Sequence, residues 1–199
     1  MVCGGRHRVS STILGIIASG GAAAAGATSF ESIATASGTG SSGTITFSAI
    51  PGTYKHLHIR GIARTTTAID DDQDIYIRFN SDSGNNYATH AVRGTGGTVG
   101  TNELASTSSM FALRGARGNN SSSNTLGASM IDILDYASTS KNKTMRAFAG
   151  NEDNDTTGDV AISSGLWMST SAITTIQLLT AADNWTTQTT FALYGIKEA

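Results

Sequence analysis

Cysteine, proline, charge and long apolar runs are all scarce in this chain, and each scarcity removes a class of protein. The single cysteine, Cys3, cannot form an intrachain disulfide, and a zinc site would have to draw on other ligands. Stability therefore has to come from packing or from assembly. Charged residues make up 14% of the chain and the formal net charge is −2, so there is no basic field of the kind that binding to a phosphate backbone needs. Nucleic acid is accordingly not an expected partner. No stretch of 18 or more apolar residues is present to form a membrane-crossing helix, so no membrane partner is expected either.

What the chain has instead is Thr, Ser, Asn and 23 glycines around a 39% apolar content. β-branched Thr favours strands, and Gly and Asn supply the positive φ of tight turns. A length of 199 residues suits one domain with a core plus an arm, at roughly 100 to 200 residues per domain. We divide it into an apolar, Gly/Ala-rich arm over residues 1–27 and a β-domain over 28–199, with no internal repeat.

The arm carries Arg6, His7 and Arg8, then Ile13, Leu14, Ile16 and Ile17, then alanines to Ala27. That layout imitates a secretory signal. It reads equally as an assembly arm, the reading we prefer, because an apolar terminus finds cover most readily on a neighbouring molecule.

From residue 28 onward short alternating runs are broken by polar turn clusters, at the spacing of an antiparallel β-sandwich of jelly-roll type. Ile45, Phe47 and Ala49 alternate with Thr46 and Ser48, the period of a strand with one buried face, and Pro51 and Gly52 make the turn. In the next run Leu57, Ile59 and Gly61 share one face and His56, His58, Arg60 and Ile62 the other. After Ile75, Ile77 and Phe79, the turn formers Asn80 to Asn86 predict that Tyr87 returns antiparallel in a hairpin. Gly94 to Thr101 and Gly115 to Asn124 read as exposed loops flanking a strand at Ser108 to Arg114. Further strands are expected at 130–136, 144–148, 160–167, 173–179 and 190–196, about eleven in all, with no helical periodicity.

Enzyme motifs are missing. Gly94, Gly96, Gly97 and Gly100 lack the spacing of a nucleotide loop, and no Ser or Cys stands in a nucleophile motif, so no catalytic residue, cofactor or enzymatic activity is expected. His56 and His58 share a strand face that His90 could complete as a metal site, but no acidic or cysteine ligand is tied to them by spacing. Asp70, Asp71, Asp72 and Asp74 offer oxygen ligands. Asp153, Asp155 and Gly158 resemble the opening of a calcium loop, yet Ser164 stands where a bidentate Glu is required, so no metal site is assigned. For sugars, Trp185 beside Asn184, together with Tyr87, is the candidate contact, since exposed aromatics stack on sugar faces while amides bind hydroxyls.

Several segments resemble a family of tailed-phage virion proteins of marine and cyanobacterial type. They are Ser11 to Ser19 (STILGIIAS), Ser29 to Thr35 (SFESIAT), Ile45 to Arg60 (ITFSAIPGTYKHLHIR), Ile77 to Tyr87 (IRFNSDSGNNY), Ile131 to Tyr136 (IDILDY), Ser163 to Trp167 (SSGLW) and Phe191 to Lys197 (FALYGIK). The resemblance spans nearly the whole chain and implies a particle component located in the virion. The expectation is a non-enzymatic, homotrimeric subunit on the outside of a phage particle, as tail fibre, tail tip or capsid decoration. It would contact other virion proteins and be anchored by its arm. The alternative is a module that recognises host surface polysaccharide.

Overall fold

The computed structural model describes residues 29–154 and 158–197. All twelve elements are strands: β1 (Phe30–Ser37), β2 (Thr44–Phe47), β3 (His56–Ala63), β4 (Asp72–Phe79), β5 (Tyr87–Gly94), β6 (Val99–Thr107), β7 (Met110–Arg117), β8 (Gly127–Leu134), β9 (Lys143–Asn151), β10 (Asp159–Trp167), β11 (Ile176–Thr180) and β12 (Thr190–Ile196). No helix occurs among the described residues, so none there is long and apolar enough to cross a membrane. The pairs within both sheets are antiparallel. One sheet has eight strands in the order β1-β12-β3-β8-β9-β10-β5-β6, and the other four, β2-β11-β4-β7. The expected sandwich is what forms, with twelve strands where a jelly roll has eight.

Alternation builds the core. Leu57 and Ile59 from β3, Ile131 and Ile133 from β8, and Phe191 and Leu193 from β12 face Ile45, Phe47, Ile75, Ile77, Phe79, Ile176 and Leu178 from the small sheet. Strand β7 departs from the period. Its Met110, Phe111, Ala112 and Leu113 are all buried, because this strand is flanked by β4 and also packs against β8, β9 and β10 of the large sheet. A short continuous apolar run is the sequence sign of a strand covered on both sides.

Three turn expectations are corrected. The Asn80 to Asn86 turn does not close a hairpin: β4 lies in the small sheet and β5 in the large one, so the turn is a crossover between layers. Asp82 organises it, accepting hydrogen bonds from the Gly84 amide (2.8 Å), the Asn86 amide group (2.9 Å) and Trp167 Nε1 (2.7 Å). The expected loop from Gly94 to Thr101 is mostly the β5–β6 hairpin. Its turn is closed by the Thr95 amide on the Thr98 carbonyl, with Gly96 at φ +76°, a conformation that favours glycine. The Gly115 to Asn124 stretch begins within β7, and its loop is pinned from beneath. The buried Arg64 guanidinium donates to the carbonyls of Asn119, Ser121, Ser122 and Thr125.

Buried charge is met by backbone carbonyls at Arg64 and Lys143 and by a polar cluster at Arg117. Arg117 is fully buried and donates to Asp72 (3.1 Å), Asn151 (3.1 Å) and Asp153 (2.9 Å). Burial first, then the Asp159 and Asp71 charges, pushes the Asp72 carboxyl up to about 6, against the pull of Arg117.

Candidate assembly surface

The outward-pointing residues of the eight-stranded sheet fall into rows that run across the strands, because directly paired residues point to the same side. One row reads Thr190, Ile62, Ala128, Gly150, Val160, Gly94, Val99. The next reads Ala192, Arg60, Met130, Phe148, Ile162, Val92, Thr101. These two rows are the apolar part of the face. Among the described residues ten large apolar side chains are exposed, and eight of them lie on this one face: Phe30, Ile62, Val92, Val99, Met130, Phe148, Val160 and Ile162. Phe148 is 45% and Ile162 56% exposed. For Met130, Phe148, Val160 and Ile162 both neighbours along the strand are buried on the opposite side, so β8, β9 and β10 carry exposed apolar side chains over a buried face, the pattern of a sheet covered twice.

A third row supplies charge beside them: Tyr194, His58, Asp132, Arg146, Ser164, His90, Glu103. His58 Nδ1 lies 2.6 Å from Asp132 Oδ1, Arg146 Nε donates to Asp132 Oδ2 at 3.0 Å, and Arg60 Nε donates to His58 Nε2 at 3.0 Å. The Arg60 bond needs the Nε2 lone pair, which places the imidazole proton of a neutral ring on Nδ1, donated to Asp132. Burial alone would raise the Asp132 carboxyl, but the bonds from His58 and Arg146 outweigh it and hold it below the usual carboxylate range.

The face is sculpted. A groove of about 680 Å³ has Gly61, Ala128, Gly150 and Ala192 among its lining and is walled by Arg60, Ile62, Met130 and Phe148. Two smaller depressions, of about 340 Å³ and 420 Å³, continue it past Phe148 toward Ile162 and Val92. At the β1 corner the Phe30 ring packs 5.4 Å from His58 and 5.1 Å from Tyr194, with the Arg60 guanidinium 5.9 Å above it. This cluster adjoins the groove through Arg60, on the side where the chain enters the domain.

The two aromatics nominated for sugars are not on a surface. Trp185 is fully buried, donating from Nε1 to the Leu178 carbonyl and packing edge-on to Phe191. Tyr87 is buried against Phe79 and stacked on Trp167, and burial pushes its phenol up to about 12. Both serve the core, and neither presents a ring to a ligand. Asn184 is half-buried, with its backbone tied to Thr66. Sequence position between polar residues had suggested exposure, but a bridge between Thr65 and Trp185 draws the indole inward.

The histidines considered for a metal do not converge. His58 is held by Asp132 and Arg60, His56 Nδ1 accepts from the Asp135 amide, and His90 stands four strands away from His58. Asp70, Asp72, Asp74 and Asp153 face arginines, and no group of three or more ligating side chains could hold an ion among the described residues. Asp155 and the arm residues Ile13, Leu14, Ile16 and Ile17 lie outside the described residues. What sequence reading missed was the outer face itself. Its signal was present in Met130 to Leu134 and Val160 to Ile162, where both alternating sets are largely apolar. Comparison with protein-family models, curated proteins and solved structures finds no match to this chain.

Proposed function

We propose that the chain is a non-enzymatic structural subunit of a tailed-phage virion, exposed on the particle as a tail-fibre, tail-tip or capsid-decoration component, oligomeric and anchored through its N-terminal arm. The observation that carries the assembly part is the gathering of eight large exposed apolar side chains on one sheet face. Monomeric soluble proteins rarely display a contiguous apolar patch of that kind, and such patches mark interaction sites. The phage assignment is supported by the segments named above, from STILGIIAS to FALYGIK. Host polysaccharide recognition loses its aromatic contacts with the burial of Trp185 and Tyr87 and is not carried forward.

The test is a reconstruction of the particle together with mass spectrometry of purified virions. The reading expects this chain at a fixed, symmetric copy number on the particle exterior, with the outer face of the eight-stranded sheet covered. Absence from purified virions would overturn it.

A further inference from the structure

We infer that the groove on the outer face of the large sheet is the receptor for the arm of a neighbouring copy, taking the aliphatic cluster Ile13, Leu14, Ile16 and Ile17. This rests on the assembly reading above and names the partner of that surface.

Shape is the first argument. The groove has a floor of small residues between Ile62, Met130 and Phe148, which suits inserted side chains better than a second flat sheet. Composition is the second. The 28 residues before Ser29 contain one tight cluster of large aliphatic residues and no acidic residue, so that cluster is the part of the segment with most to gain from an apolar site.

Reach is the third argument. The twelve residues from Ala18 to Ser29 span at most about 40 Å when extended, at ~3.3–3.6 Å each. Eight strands spaced about 4.8 Å apart make a sheet only ~34 Å across. The tether is thus long enough to leave its own domain and cross onto another. Its own groove is the poorer target. The chain enters at Phe30, and the Phe30, His58, Tyr194 and Arg60 cluster stands between that point and the groove. The row of His58, Asp132 and Arg146, with its Asp132–Arg146 ion pair, runs along the same side, and an apolar segment crossing it would desolvate charge.

The experiment uses the full chain. A Cys3→Ser, Thr12→Cys variant carries a spin label beside Ile13. It is mixed with isotope-labelled Cys3→Ser protein that carries no spin label, and methyl signals are read. The expected result is that Ile62, Met130 and Ile162 lose most of their intensity in the mixture, while Leu179 on the other sheet does not. Phe148→Asp in the isotope-labelled copy should restore those signals. Broadening only when both labels sit on one molecule would overturn the exchange between copies. No broadening at the face in either sample would overturn the arm as its occupant. Light scattering on the same samples separates the two levels of the argument. Association that persists without broadening sinks this inference and leaves the assembly reading standing. A chain that stays monomeric at every concentration sinks the assembly reading itself.

Discussion

The two outer faces of the sandwich obey the same alternation and are filled differently. On the small sheet, the outward rows read Thr46, Gln177, Arg78 and Thr44, Leu179, Tyr76, in which polar side chains predominate. On the large sheet they read Met130, Phe148, Ile162, Val92 and their neighbours. An antiparallel sheet with one solvated face normally alternates apolar with polar. The small sheet keeps that rule, and the large sheet breaks it over its central strands. On the proposed assembly reading, the strands of the large sheet record both the surface that the small sheet covers and the one that a partner would cover.

The sharpest way to break the comparison is to change adjacent residues that point to opposite sides. Ile131 is fully buried and Met130 is exposed on the same strand. Ile131→Ala should cost about 2–5 kcal/mol, from lost transfer energy plus a cavity. Met130→Ala should stay within about 0.5 kcal/mol in the dilute chain. Urea unfolding at low protein concentration checks both. Equal losses at the two sites would mean that the outer face is already covered within one chain.

A second pair compares the outer faces directly. Phe148→Asp removes an aromatic from the ridge beside the groove and introduces charge, and should weaken association by about 1.5–3 kcal/mol, roughly tenfold to a hundredfold. Gln177→Asp on the small sheet should leave association unchanged. Sedimentation across a concentration series reads the difference. If Gln177→Asp dissociates the assembly and Phe148→Asp does not, the polar face is the interface and the argument from apolar exposure fails.

These contrasts also show where the sequence was legible. The strand β12 was read with its observed limits, and Leu57 and Ile59 were placed on their buried face, because a period of two survives in local sequence. Partition between sheets was not legible. The turn formers from Asn80 to Asn86 support a crossover as readily as a hairpin, since Asp82 satisfies the turn locally in either case. Burial of Trp185 depends on a bridge to Thr65, 120 residues away in the chain, and no local pattern encodes it. The Arg117 cluster was hidden for the same reason: Asp72, Asn151 and Asp153 come from distant segments. The outer face was half legible. Ile62 was correctly placed opposite Leu57 and Ile59, but a lone apolar residue on a polar-looking face gains meaning only when pairing lines it up with Ala128, Gly150 and Val160.

The smallest expected effect sharpens the comparison from the inside, by showing that the charge with a stability cost lies between the sheets and on neither outer face. The Asp72 carboxyl sits at about 6 in the folded chain, raised first by burial and then by the Asp159 and Asp71 charges. Folding therefore favours its protonated form. The sign follows from linkage: the benefit is fully present below the ordinary value near 3.8 and is lost as pH rises through 6. Wild-type stability should fall by about 1–2 kcal/mol from this group between pH 4 and 6. Asp72→Asn keeps the shape, cannot ionise, and leaves Arg117 its contacts with Asn151 and Asp153, so its stability should fall less over that interval. Urea midpoints of both proteins across the interval decide it, and parallel curves would mean that Arg117 already neutralises Asp72 in full.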